Sequence, residues 1–316
     1  MKAMIINGFG GADRLEMAEV PTPTAQADEV LIRVTYAGVN PVNWKIREGM
    51  LEGLFPHRFP LILGWDAAGT VASLGTEAAG FQVGDKVYAY CRKPIVQRGT
   101  YAEYVAMASS AVAPMPANLT FAQAAAIPLT ALTSWQALFD AGQLKAGQSV
   151  LIHAGAGGTG GMAIQLAKHA GATVFTTASA GNHQYVRSLG ADHVIDYQRE
   201  SFVEVTKNRS PGGVDLAYVT VGGDVLRNSY RVVKPGGALV TIVEAPDVEE
   251  ARHLGIRATF VFVEPNGTQL REITRLIEAG RVRPPAIAEM NLEEAPRAQE
   301  LSQAGHVRGK LVLKID

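Results

Sequence analysis

The sequence predicts an α/β protein of two domains, a barrel-type β domain and a doubly wound parallel sheet. Three observations carry this. Residues 147–168, GQSVLIHAGAGGTGGMAIQLAK, read as an apolar strand, a glycine-rich turn and a helix. From about residue 120 onward, strand-like apolar runs alternate with helical stretches, the pattern of a parallel sheet with helices on both faces. Before that point, short strand-like runs are separated by Gly, Pro and Asp turns, as in a compact β barrel. At 316 residues the chain is long enough to bury two cores.

In chain order, the first domain has strand-like runs at 4–6, 29–36, 69–74, 86–90 and 101–106. Residues 120–141 are helix-forming, but Pro128 breaks them into two pieces. Strands follow at 149–154, 173–178, 193–196, 214–221 and 238–243, with helical stretches between them. The run RATFVFV (257–263) is a sixth strand and 269–279 a helix. The closing run GKLVLKI (309–315) alternates again and is expected to return to the first domain as one of its strands. The expected domains are thus 1–120 with 280–316, and 121–279.

Composition excludes several function classes. Hydrophobic content of 47% and charged content of 19% are those of an ordinary globular protein. A net charge of −1 and the lack of a Lys/Arg cluster give no electrostatic reason to expect nucleic acid or an anionic membrane as partner. The single cysteine, Cys91, forms no internal disulfide and fits a reducing compartment. The opening residues hold an apolar run too short for a signal sequence, and no run approaches the roughly 18 apolar residues of a spanning helix. A cytoplasmic protein is expected.

The glycine turn carries the chemistry. Gly155, Gly157 and Gly160 form G-x-G-x-x-G between a strand and a helix. In such a turn the first glycine permits the bend, the second admits a phosphate to the backbone, and the third lets the helix pack on the strand. Free N–H groups at the helix start attract the pyrophosphate. Gly155, Ala156, Gly157, Gly158, Thr159 and Gly160 are therefore expected to bind a dinucleotide. An NAD site places Asp or Glu about 20 residues further on, to hold the ribose 2′-hydroxyl. Here residues 176–182 read TTASAGN and contain no acid, so nothing repels a 2′-phosphate. Ser179 and Asn182 can donate to it, and His183 and Arg187 are nearby cationic candidates, Arg187 being equally readable as a solvated helix residue. NADPH is expected over NADH.

The whole chain resembles the quinone oxidoreductase (zeta-crystallin) branch of the medium-chain dehydrogenase/reductases. The resemblance rests on G-Q-x-x-L-x-x-x-G-A-G-G-x-G-x-x-x-x-Q-x-x-K at 147–168, AGVNPVN at 37–43, GWDAAGTV at 64–71 and GDKVY at 84–88. It continues in AIPLTALT at 126–133, SLGAD at 188–192 and RGK at 308–310. It implies a GroES-like catalytic domain, a Rossmann cofactor domain and a cleft between them for NADPH. It also implies a homodimer that pairs the sixth strands edge to edge; RATFVFV suits this, though a helix of its own chain could cover that edge instead.

The resemblance also implies site residues. Asn40 matches an Asn beside the nicotinamide ribose, while an Asx turn before Pro41 is its alternative role. Thr130 matches a nicotinamide contact, or else caps the helix after Pro128. Tyr197 matches a Tyr near the 2′-phosphate, whereas Asn182 stands where some relatives carry a phosphate-binding Lys. Val219, Gly222 and Val243 are expected to line the nicotinamide pocket through their backbone, and Lys310, or Arg308 beside it, to reach a cofactor phosphate. The zinc-binding branch has a Cys where this chain has Gly38-Val39-Asn40, and Gly-His-Glu where it has Gly64-Trp65-Asp66, so no metal site is expected.

Without a Lewis acid, the acceptor must already be activated, which points to a quinone or an α,β-unsaturated carbonyl. Tyr36, Lys45 and Tyr88 are the available proton donors. Tyr88 stands with Asn40 as a candidate catalytic residue, but water could equally complete the reaction, and the sequence assigns no general acid. Phe55–Pro60 reads as a lip over the pocket or as a plain loop, and the placement of Trp44, Phe59 and Trp65 is left open. The leading expectation is an NADPH-dependent quinone oxidoreductase. An alkenal or enoyl reductase and a non-catalytic NADPH-binding protein are the alternatives.

Overall fold

The computed structural model describes residues 1–305 and 307–315. The chain divides into two compact units, Met1–Leu129 with Glu264–Asp316, and Thr130–Val263.

The first unit is built on antiparallel sheet. Glu29–Val39 is its longest strand and pairs with Asp66–Leu74, Tyr104–Ala108 and the returning strand Lys310–Lys314. Leu311 lies opposite Val39, which brings the end of the chain back to the AGVN segment. The long strand bends at two register shifts. Gly69 sits beside one of them, where a Cβ would lie 1.9 Å from the Arg33 carbonyl oxygen, so no side chain fits. A second sheet joins Glu16–Glu19, Lys2–Ile6, His57–Ile62 and Val96–Arg98. Helix Pro41–Arg47 follows the long strand, with proline in its first turn, where the missing N–H costs nothing. Its last residue, Arg47, is buried and donates to the Gly10 carbonyl at 3.0 Å and to Gln299 at 2.9 Å.

The helix expected at 269–279 forms as Gly267–Glu278 but belongs to this unit, so the second domain ends at Val263 and not at 279. Its attachments explain the correction. Thr274 donates to the Pro114 carbonyl at 3.1 Å and Arg271 to that of Val112 at 3.2 Å. Gly267 lies so close to Ser110 and Val112 that a Cβ would come within 2.6 Å of both carbonyl oxygens. The other boundary falls after Leu129 instead of residue 120, because helix Phe121–Ala125 packs on strands Glu29–Val39 and Asp66–Leu74.

The second unit is a six-stranded parallel sheet. Its order is His193–Asp196, Thr173–Ala178, Ser149–Ile152, Val214–Val219, Val233–Thr241 and Arg257–Phe260, the doubly wound 3-2-1-4-5-6 arrangement. Ala217, Val219, Leu226, Tyr230 and Leu239 form one apolar cluster, and Leu151, Phe175, Ile195, Val203 and Val232 another. Pro128 opens helix Pro128–Trp135, which loosens into a π turn over Gln136–Ala141. Three strands stop two residues before their expected ends, because His153–Ala154, Thr220–Val221 and Ile242–Val243 turn out of the sheet at its carboxyl edge, and the sixth ends at Phe260 instead of residue 263. A doubly wound sheet holds its ligands at that edge.

Candidate active site

The glycine turn is set up by the residue before it. Ala154 adopts left-handed backbone, φ 51°, unusual for a residue with a side chain. Its N–H donates to Thr177 Oγ1 at 3.0 Å, and the next N–H, of Gly155, to the Thr177 carbonyl at 3.0 Å. The three glycines then differ. A Cβ on Gly155 would lie 2.2 Å from Thr176 Oγ1, and one on Gly160 2.3 Å from the Ala154 carbonyl oxygen. At Gly157 its nearest neighbour would be 3.4 Å away. Two glycines are thus required by packing inside the protein, and the middle one leaves open space beside the backbone. Helix Gly158–His169 starts there, and the N–H groups of Gly158, Thr159 and Gly160 have no acceptor within the helix. Open space and oriented donors together fit a pyrophosphate. Ala156 completes the turn.

Ser179 and Asn182 follow strand Thr173–Ala178, and Asn182 Nδ2 donates to Ser179 Oγ at 3.1 Å. That bond leaves the Ser179 hydroxyl proton for another acceptor. His183 turns back to the Ala178 carbonyl at 3.3 Å, while Arg187 is exposed. Tyr197, 54% exposed, follows Asp196, the residue paired with Ala178 on the neighbouring strand. The sheet thus brings Ser179, Asn182 and Tyr197 to one edge. Thr130 is tied to the turn through Ser134, whose hydroxyl lies 2.7 Å from the Thr130 carbonyl and 2.9 Å from that of Thr159. Val219 points into the apolar core and its carbonyl accepts from Ile242. Glu244 faces Gly222, where a Cβ would meet its carboxylate at 2.1 Å, and accepts from the Gly223 N–H at 3.1 Å. The Val243 N–H turns to Thr241 Oγ1 at 3.3 Å.

In the first unit, Asn40 lies in a buried polar network. Its Nδ2 donates to Asp66 Oδ2 at 2.8 Å, and its Oδ1 accepts from Lys310 Nζ. Lys310 also donates to the Val39 carbonyl at 2.8 Å and stands 3.7 Å from Asp66 Oδ2. The other Asp66 oxygen accepts from the Leu129 N–H at 2.7 Å. A lysine can only donate and a carboxylate only accept, so the pair dictates which way the Asn40 amide faces. Asn43 accepts from the Asn40 N–H at 2.7 Å and from Tyr101 at 3.1 Å. Burial pushes the Asp66 carboxyl up to about 6, against the pull of Lys310 and Asn40. Burial likewise pulls Lys310 down to about 8, against the attraction of Asp66. Asn40 thus combines two roles: it is the N-cap of helix Pro41–Arg47, and its side chain is held by this ion pair.

Two expected roles fail here. Lys310 does not reach a cofactor phosphate, because its ammonium group is buried and spent on Asp66, Asn40 and Val39. Tyr88 is not catalytic, because it is fully buried and its hydroxyl is held by the Leu270 carbonyl and Thr274, each at 2.9 Å. Burial raises that phenol to well above its ordinary range. Of the other proton-donor candidates, Tyr36 donates to Glu289 at 2.8 Å, and the Lys45 ammonium lies over the Trp44 ring at 5.7 Å. Residues 57–60 belong to strand His57–Ile62 and so are not a loop, and Phe59 packs edge-on against Phe9. Trp65 is buried edge-on against Tyr90. Cys91 is buried, which pushes its thiol up. Among the described residues, no group of three or more His, Cys, Asp or Glu side chains is placed to hold a metal ion. None of their helices is long and apolar enough to cross a membrane.

The sequence reading missed Asp66 as a site residue, although the acid stood in the quoted GWD.

Residues 26–117 match a family profile described as an alcohol dehydrogenase GroES-like domain, and 189–313 one described as a zinc-binding dehydrogenase. The 2-methylene-furan-3-one reductase of Solanum lycopersicum is 34% identical over 322 residues, covering 99% of this chain and 79% of that protein. This chain is a quinone oxidoreductase-type medium-chain dehydrogenase/reductase. Among solved structures of the family, the quinone oxidoreductase of Coxiella burnetii superposes with a TM-score of 0.90 at 36% identity, over 100% of this chain and 99% of that one. The Escherichia coli quinone oxidoreductase complexed with NADPH gives 0.89 at 26% identity, over 99% and 100%. The GroES-like match lies within the first unit, and the parallel sheet of the second is Rossmann-like.

Proposed function

We propose that this family member is an NADPH-dependent quinone oxidoreductase that works without a metal. One observation carries the cofactor choice. Where an NAD site presents an acid, the edge beyond Thr173–Ala178 presents a Ser179 hydroxyl with its proton free, held by Asn182, with Tyr197 exposed on the next strand. The E. coli relative in complex with NADPH supports the same choice. Gly155–Gly160 would hold the pyrophosphate through backbone N–H groups, and Asn40, oriented by Asp66 and Lys310, would meet the nicotinamide ribose. The two positions that hold metal ligands in the zinc branch carry Asn40 and Trp65, neither of them a Cys or His.

A dihydronicotinamide held there would supply a hydride. A quinone that accepts it takes one proton from solvent and leaves as the hydroquinone. A quinone needs no dedicated acid, since its reduced oxygen is protonated readily from water. The tomato relative, named for an exocyclic enone, supports a second reading, reduction of an α,β-unsaturated carbonyl, with hydride added to the β-carbon and a proton to the α-carbon. Arg257–Phe260 is an edge strand with Phe260 40% exposed, and we propose that it pairs with its copy in a homodimer.

The test is oxidation of NADPH and NADH, side by side, with a small benzoquinone and a 2-alkenal. NADPH-selective turnover of the quinone is expected. Equal use of NADH overturns the role of Ser179, Asn182 and Tyr197. Turnover confined to the alkenal selects the second reading, and tight binding without turnover selects a non-catalytic role. Sedimentation of wild type and Phe260→Pro, which removes an outward-facing edge N–H, tests the dimer: a wild-type monomer overturns it.

A further inference from the structure

His153 ends the strand that leads into the glycine turn, and its ring is buried. The hydrogen bonds around it favour one arrangement of protons. Ser229 donates its only hydroxyl proton to the Val225 carbonyl at 2.6 Å. Its oxygen lies 3.0 Å from His153 Nε2, so that contact requires the proton to be on Nε2. Burial pushes the imidazole down to about 3, so the ring is neutral and Nδ1 keeps its lone pair. The 3.3 Å contact between Nδ1 and Thr177 Oγ1 must then use the Thr177 proton. With its proton turned to the ring, the Thr177 oxygen faces the Ala154 N–H at 3.0 Å and accepts from it. Thr220 completes the set by donating to the His153 carbonyl at 2.8 Å.

We propose that His153, acting through Thr177, is the positioning residue that holds Ala154 left-handed and so aims the phosphate-binding turn, with Ser229 selecting the tautomer. The inference rests on the reading of Gly155–Gly160 as the cofactor phosphate site. Left-handed backbone is unfavourable for alanine, and the bond to Thr177 opposes its relaxation. If Ala154 relaxes, Gly155–Gly157 change direction and the N–H groups of Gly158, Thr159 and Gly160 lose their aim. His153 itself touches no ligand in this scheme.

Two measurements test this. In the nucleotide-free wild-type chain, the imidazole nitrogen shifts are expected to show His153 as the neutral Nε2–H tautomer from pH 5 to 8, and Ser229→Ala to mix in the other tautomer. A wild-type Nδ1–H ring overturns the inference without any cofactor present. NADPH titration is the second measurement. Thr177→Val is expected to weaken binding by about tenfold, the loss of one good hydrogen bond, with kcat little changed, and Thr177→Ser to restore it. His153→Asn keeps an acceptor at the Nδ1 position and is expected to bind NADPH more tightly than His153→Leu, although both lose the bond to Ser229. Wild-type affinity in folded Thr177→Val overturns the inference alone. A wild-type chain that binds neither NADPH nor NADH overturns the cofactor reading, and with it the role assigned to His153.

Discussion

Lys310 and His153 are both buried bases, one in each unit, yet they are kept in opposite states. Lys310 is held as a cation by Asp66, and their attraction offsets part of the cost of removing two charges from water. His153 is held neutral between two hydroxyls, with every proton assigned and no charge to compensate. Each network orients a group expected to serve the cofactor, the Asn40 amide in one unit and the Ala154 N–H in the other. The difference is one of vulnerability. An ion pair fails when either partner is lost, because the survivor is a buried charge, whereas a neutral relay fails only by one hydrogen bond at a time or by protonation.

The largest effect that can break this comparison is in the ionic network. Lys310→Met strands the Asp66 carboxylate and is expected to cost about 3–5 kcal/mol in urea unfolding, while Lys310→Met with Asp66→Asn recovers more than half of it. Equal losses would mean that the pair carries no uncompensated charge. Next in size is the acid response. The folded His153 titrates near 3 and an ordinary histidine near 6.5, so the unfolded chain binds the extra proton between those values. Stability is therefore full above about pH 6.5 and falls as pH drops toward 3, by about 3 kcal/mol between pH 7 and pH 4. His153→Asn should remove that slope, and an unchanged slope would refute a buried neutral ring. Asp66 has the opposite sense: its carboxyl is raised when folded, so its cost is absent in acid and grows as pH rises toward 6. Hydrogen exchange resolved by unit should separate the two.

A smaller effect sharpens the link between the neutral relay and the turn. Gly160→Ala drives a Cβ into the Ala154 carbonyl and is expected to cost about 1–3 kcal/mol as well as NADPH binding. Gly157→Ala meets nothing closer than 3.4 Å and should leave stability within about 0.5 kcal/mol, yet still weaken NADPH. Loss of stability at both positions would show that the middle glycine also serves packing. The smallest effect is Tyr88→Phe, expected to cost about 1 kcal/mol in thermal unfolding with kcat unchanged. A fall in kcat would return Tyr88 to the reaction.

Much of the fold was legible because its signals are local. The glycine turn, the alternation of strands and helices and the break at Pro128 each lie within a short window, and all six parallel strands start at or within a few residues of their expected positions. The domain boundaries were not legible. Helix Gly267–Glu278 follows the last parallel strand just as a helix of that sheet would, and its bonds to Val112, Pro114, Ala117, Asn118 and Tyr88 assign it to the other unit. Tyr88 and Lys310 were misread for a related reason: a tyrosine or lysine looks the same in sequence whether its polar end meets a ligand or a buried carbonyl.

By itself the sequence determined the glycine turn, the absence of an acid beyond it and the α/β class, since each depends on residue types a few positions apart. Tertiary structure alone decided the polar networks behind the site. Lys310 meets Asn40 across 270 residues and His153 meets Ser229 across 76, and no periodicity spans such distances. A buried donor takes whichever acceptor the fold brings within reach, so its partner, its protonation state and the direction in which it points exist only once the chain has folded.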